Sequence, residues 1–249
     1  MLIRSIQATI AFLTVIPGPK SYNHDLNSVA NAMHLFPVAG LLIGAIIGCL
    51  AYLIWPYLQP LITAFIVTTA LSLLTGLHHT DALADFTDGL MTKGEKATKR
   101  NAMRDPAVGS AGAMAIILYV VGMIVALSSF HHGIRLLTSI ISAEVIAKYI
   151  MVIQAHKGIS AWSGFSSPFT VAMKDRRKMI IASIISILAI LFFGSGYFGI
   201  IALIISLAVA AIIQFVSNES FGGISGDVMG ASNEITRLSS LVVLSGIMP

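Results

Sequence analysis

Residues 36–55, FPVAGLLIGAIIGCLAYLIW, decide the fold class. An uncharged run of this length reaches about 30 Å as a helix at ~1.5 Å per residue, the thickness of the hydrocarbon core of a bilayer. Gly40, Gly44 and Gly48 recur every fourth position. Together they form a smooth stripe against which a second helix can pack closely.

Outward from this span the apolar pattern repeats. Trp55, Pro56, Tyr57 and Pro60 make an interfacial turn, and a second span runs from Leu61 to Leu77. Further spans are expected at 112–129, 134–154, 178–196 and 199–217. Residues 5–17 are apolar but short, are closed by Pro17, Gly18 and Pro19, and predict an interfacial or re-entrant helix. A polar stretch follows from Lys20 to about His34. The run after Leu238 is too short to cross alone. The expectation is all-α: a polytopic membrane helix bundle of about six transmembrane helices with short N- and C-terminal apolar helices, forming a single integral-membrane domain over 1–249.

Composition agrees. Of 249 residues, 56% are hydrophobic and 10% charged, against about 25% charged in soluble domains. The one cysteine, Cys49, excludes a disulfide framework and a thiolate metal site. The first twenty residues lack a small-x-small cleavage site and read as part of the mature protein. The net charge of +4 is concentrated in two loops. One, 78–111, holds Lys93, Lys96, Lys99, Arg100 and Arg104; the other, 155–178, holds Lys157, Lys174, Arg176, Arg177 and Lys178. The excess of basic residues places both loops, the N-terminus and 218–237 on the cytoplasmic face of a cell membrane. It suits contact with phosphates, and no nucleic-acid-reading module is present. Glu144 and Lys148, four apart inside the fourth span, are read as an internal ion pair.

Chemistry is concentrated in residues 76–112, GLHHTDALADFTDGLMTKGEKATKRNAMRDPAVGSAG. Asp81, Asp85 and Asp88 stand at i, i+4 and i+7, so a helix carries all three on one face. Such carboxylates repel one another unless a hard, oxygen-seeking divalent cation such as Mg2+ lies between them. A second constellation, FGGISGDVMGASNEI at 221–235, sets Gly222, Gly223, Gly226 and Gly230 around Asp227, with Glu234 two helical turns on. Glycines before a helix start let backbone N–H groups approach an anion, so Gly222, Gly223 and Gly226 are candidate phosphate-binding positions. Carboxylates, a metal and basic side chains on one membrane face suit phosphoryl transfer on a diphosphate.

These blocks resemble the cobalamin synthase family of adenosylcobinamide-GDP ribazoletransferases. The resemblance rests on Gly76-x-x-His79-x-Asp81-Ala-Leu-Ala-Asp85-x-x-Asp88-Gly89, on Met103-Arg104-Asp105 followed by Gly109 and Gly112, and on Gly222-Gly223-x-x-Gly226-Asp227-x-x-Gly230-Ala231-x-x-Glu234. FLTVIP at 12–17 and FPVAGLLIG at 36–44 add to it. The family commonly has glycine where Ala82 stands, and loop 155–178 matches only loosely.

The resemblance implies a Mg2+-dependent transfer joining adenosylcobinamide-GDP to α-ribazole or its 5′-phosphate, with release of GMP. It implies that Asp81, Asp85, Asp88 and Asp227 bind the metal and that Arg104, next to Asp105 in the motif, clamps a phosphate. It further implies that Asp227 and Glu234 complete the site or orient the ribazole 5′-hydroxyl. His79 becomes a general base or a partner that orients a carboxylate. The partners implied are those two substrates and the lipid bilayer; a homo-oligomer is compatible with the sequence. A CDP-alcohol phosphotransferase shares Asp85-x-x-Asp88-Gly89 but lacks the following Ala-Arg, since Thr92-Lys93 stand there. An ion-coupled transporter would use intramembrane carboxylates, for which only Glu144 and Lys148 speak.

Overall fold

The computed structural model describes residues 2–18, 26–194 and 196–247. Pro19 and Lys20, where the N-terminal run gives way to the polar stretch, lie outside the described residues together with 21–25, while 26–34 of that stretch are described. The described chain is helical. α1 (Leu2–Leu13), α2 (Leu26–Ala32) and a short 3-10 turn (Met33–Leu35) precede α3 (Phe36–Ile54) and α4 (Pro60–Leu74). Then come α5 (His78–Met91), α6 (Lys96–Ala102), α7 (Ser110–Ser128), α8 (Gly133–Lys157), α9 (Ser167–Ala172), α10 (Arg176–Phe193), α11 (Tyr197–Phe221) and α12 (Gly226–Ile247).

Four stretches, 26–54, α7, α8 and α11, are long and apolar enough to cross a membrane, and α4 with α5 makes a fifth if that bent pair is one span. α10 has comparable length but begins with Arg176, Arg177 and Lys178. The expected spans thus coincide with α3, α4, α7, α8, α10 and α11. The apolar run after Leu238 is the second half of α12, a helix of 22 residues whose polar first half hides it from a hydropathy reading.

The glycine stripe of α3 finds its partner in α8. A Cβ at Gly40 would stand 2.6 Å from the Glu144 carbonyl oxygen, one at Gly44 2.6 Å from the Ile141 Cα, and one at Gly48 2.9 Å from the Leu137 carbonyl oxygen. The two backbones touch along three turns, with no room for a side chain between them. α8 is consequently the central helix, buried over most of its length, and α12 packs beside it.

α5 departs from this up-and-down pattern. Gly76 and Leu77 take left-handed backbone angles (φ 64° and 61°), and the chain turns by 89° between α4 and α5. Glycine adopts such an angle freely, whereas Leu77 does so at a cost of about 1 kcal/mol. The turn lays α5 across one end of the bundle, where it crosses α12 so closely that a Cβ at Gly230 would stand 2.5 Å from that of Ala82. The small residue at 82 is thus required by this crossing.

Candidate active site

The end of the bundle capped by α5 holds a cavity of about 1040 Å³. Its walls come from α1, the segment 26–36, α5, the segment 162–169 and the start of α12. The two constellations and the poorly matching loop therefore meet, although Asp81 and Asp227 are more than half the chain apart in sequence.

On α5, His79, Ala82, Phe86 and Gly89 face inward while Asp81 is exposed and Asp85 is half-buried. Burial, then the neighbouring charges of Asp81, Asp227 and Asp88, push the Asp85 carboxyl up from its ordinary value to about 6. Negative charges from two helices thus converge on Asp85 and oppose its ionisation. Asp227 lies in the first turn of α12, lines the cavity and accepts from the Ser225 hydroxyl (3.3 Å). Ser225 also caps that helix by accepting from the Val228 N–H (3.2 Å).

Asp88 is placed differently. Its two oxygens accept from the Gly109 and Gly112 N–H groups (2.7 and 2.8 Å). The carboxylate caps the N-terminus of α7 from outside, where the exposed N–H groups and the helix dipole favour a negative charge. It also explains both glycines, since a Cβ at either would collide with the carboxylate. Asp105 accepts from the Ala107 N–H (2.9 Å) and shapes the loop that leads into α7.

Arg104 is exposed, lines the cavity and lies over the Trp162 ring at 4.6 Å. Other basic residues of the two loops are engaged in the fold. Arg100 donates to the Phe221 carbonyl at the end of α11, and Lys174 donates to the His156 and Gly158 carbonyls (3.0 and 3.1 Å) at the end of α8. Lys178 donates to the Asn31 side chain (2.9 Å), while Lys93 stays exposed.

The glycines divide in role. Gly222 ends α11 in the left-handed region (φ 81°), and Gly223 lies so close to 159–161 that a Cβ would stand 2.5 Å from the Ile159 carbonyl oxygen. There the Ile224 N–H donates to Ile159 and the Ala161 N–H donates to Ile224, pinning loop 155–178 beside the α12 start. Of the three glycines, Gly226 lines the cavity.

Glu234 is two turns deeper and 1% exposed. It accepts from Asn233 (3.0 Å) and pairs with Arg237, which also pairs with Glu144 and donates to the Tyr119 hydroxyl (2.8 Å). Lys148 is 3.6 Å from Glu144 and donates to Asn233 (2.7 Å). The expected Glu144–Lys148 pair exists, inside a larger network of two acids and two bases. Sequence reasoning that places Asp227 and Glu234 on a helix passes over Arg237, although Glu234 and Arg237 at i,i+3 on that helix signal a second intramembrane pair. His79 bridges to this network: its buried Nδ1 makes no hydrogen bond and lies 3.9 Å from Glu234 Oε1.

Among the described residues no three His, Cys, Asp or Glu groups form a complete ion-binding cluster. Asp81, Asp85 and Asp227 nevertheless suit Mg2+. It binds through one or two carboxylates while keeping waters and substrate phosphates, and the repulsion at Asp85 is of the kind a cation relieves.

Comparison with known proteins converges on one family. The family model described as Cobalamin-5-phosphate synthase matches residues 5–245. The chain is 30% identical to the adenosylcobinamide-GDP ribazoletransferase of Methanocella arvoryzae, over 99% of this chain and 97% of that protein. It is likewise 30% identical to that of Methanococcoides burtonii (97% and 91%) and 26% to that of Shigella dysenteriae (95% and 97%). No solved structure matches. With matches that run from the first helix to the last, the chain belongs to the cobalamin-5-phosphate synthase family.

Proposed function

We propose that this chain is a single-domain membrane enzyme that joins adenosylcobinamide-GDP to α-ribazole or its 5′-phosphate and releases GMP. Its cofactor in this reading is Mg2+, and its site faces the cytoplasm across the cell membrane. The observation that carries the proposal is the composition of one cavity: Asp227 and Arg104 line it beside the aspartates of α5, and aromatic rings make up much of the rest.

The reaction forms a bond from a ribose oxygen to the phosphorus nearer the cobinamide and breaks the bridge between the two phosphorus atoms. In the phosphorylated acceptor the 5′ oxygen is blocked, so the attacking group is a ring hydroxyl of the ribose and not the 5′-hydroxyl. Asp81, Asp85 and Asp227 would hold the cation, whose charge offsets that of the diphosphate and of the departing GMP. Arg104, whose guanidinium lies 4.6 Å over the Trp162 ring, binds non-bridging oxygens. His79 takes the proton of the attacking hydroxyl through Nε2, with Nδ1 turned to Glu234. Glu234 is in turn fixed by Arg237, so the imidazole is oriented from within the bundle. Asp88 supports the site by tying α5 to α7.

The test is Asp85→Asn in purified protein. Release of GMP from adenosylcobinamide-GDP in the presence of α-ribazole and Mg2+ should fall by at least about a hundredfold with the thermal midpoint retained; full activity would overturn the metal assignment.

A further inference from the structure

The wall of the cavity away from the aspartates is built of phenylalanine. The Phe12 ring lies 5.9 Å from that of Phe165 at 15°, 6.0 Å from that of Phe36 at 30° and 5.5 Å from that of Phe169. Phe165 and Phe169 are 5.8 Å apart. All four rings line the cavity, but they differ in access. Phe36 and Phe169 are fully buried, whereas Phe165 is 54% exposed. Phe165 also marks the border between the two walls. It sits against Gly226, where a Cβ would come within 3.2 Å of the ring, and the next residue is Asp227.

We infer that Phe165, backed by Phe12 and Phe169, is the stacking platform for the flat aromatic base of the α-ribazole acceptor, a subsite that rests on the proposed ribazoletransferase reading. A base stacked on Phe165 projects its ribose along Gly226 toward Asp227, which brings the nucleophilic hydroxyl to the carboxylate that lines the cavity. The other base in the reaction, the guanine of the donor, carries hydrogen-bond donors and acceptors around its edge. A phenylalanine wall backed by Met33 and Val29 offers these no partners, and burying them unpaired is costly. A benzimidazole-type base has little polar edge to satisfy. Trp162 is the less suitable platform because the Arg104 guanidinium already lies over its ring.

The experiment measures binding of α-ribazole alone and of GMP alone to the full-length protein in detergent, without turnover, for wild type, Phe165→Ala and Phe165→Trp. Since Phe165 is partly exposed, its truncation leaves the core intact. Stacking of one base on one ring predicts that Phe165→Ala weakens α-ribazole binding roughly tenfold, with GMP unchanged and with Phe165→Trp close to wild type. Weakening of GMP instead, or no change in α-ribazole, overturns the platform while leaving the overall reaction standing. Failure of the wild type to bind α-ribazole at all overturns both.

Discussion

At the scale of single residues, aspartates that look equivalent in sequence do different work. Asp81, Asp85 and Asp88 share a helical face, yet Asp88 accepts two backbone N–H bonds while Asp85 is surrounded by like charges. Their substitutions should separate accordingly. Asp88→Ala removes the cap of α7 and is expected to cost about 1–2 kcal/mol, read as a lowered thermal midpoint in detergent. Asp85→Asn should leave that midpoint unchanged or raise it slightly, because it removes a carboxylate that the fold disfavours in its charged form. The sign follows from the direction of the shift: a carboxyl raised to about 6 destabilises the metal-free fold increasingly as pH rises from about 4 through 6. The spacing rule could place the three carboxylates on one face but could not show which of them met a helix N-terminus. That depended on the distant Gly109 and Gly112, visible in sequence only as small residues.

Among elements, the α3–α8 contact sets the geometry of everything else. Gly44→Leu would drive a side chain into the Ile141 backbone and force the two helices apart. We expect a loss of at least about 1–3 kcal/mol, seen as a lower midpoint or as aggregation on extraction. Gly246→Ala, where no atom lies within 4 Å of the added Cβ, should be neutral and serves as the control. The glycine repeat was legible from sequence because it has a fixed period, but its partner was not, since a smooth stripe carries no address. α12 was half legible for the opposite reason. Its apolar end stands out, while the polar residues 226–237 give no sign in hydropathy that they continue the same buried helix, because their side chains are satisfied across α8 and α7 instead of facing water.

For the whole molecule, the alternation of spans brings 78–91, 155–178 and the start of α12 to one end of the bundle, as the distribution of Lys and Arg predicts. The proposed orientation can be checked directly. In a variant with Cys49 replaced by serine, cysteines placed around Lys96 should react with an impermeant maleimide only in inside-out vesicles. Labelling of intact cells would reverse the topology. The cavity itself was not legible. Its aromatic wall is drawn from α1, the start of α3 and the segment 165–169, and only folding shows that Phe12, Phe36 and Phe165 are neighbours.

The balanced quartet of Glu144, Lys148, Glu234 and Arg237 also constrains the order of events during synthesis. Glu144 and Arg237 are 93 residues apart, so α8 is made and handed to the membrane long before its counter-ion emerges from the ribosome. Until then the counter-charge of Glu144 is Lys148, one turn away on the same helix, without the guanidinium hydrogen bonds that Arg237 later supplies. Arrival of α12 adds a second acid and base, brings Arg237 onto Glu144, and at the same moment delivers Asp227 to the end of the bundle that α5 caps. Asp227, Glu234 and Arg237 are all supplied by α12, so the ion-pair network and the candidate site are completed by the same helix.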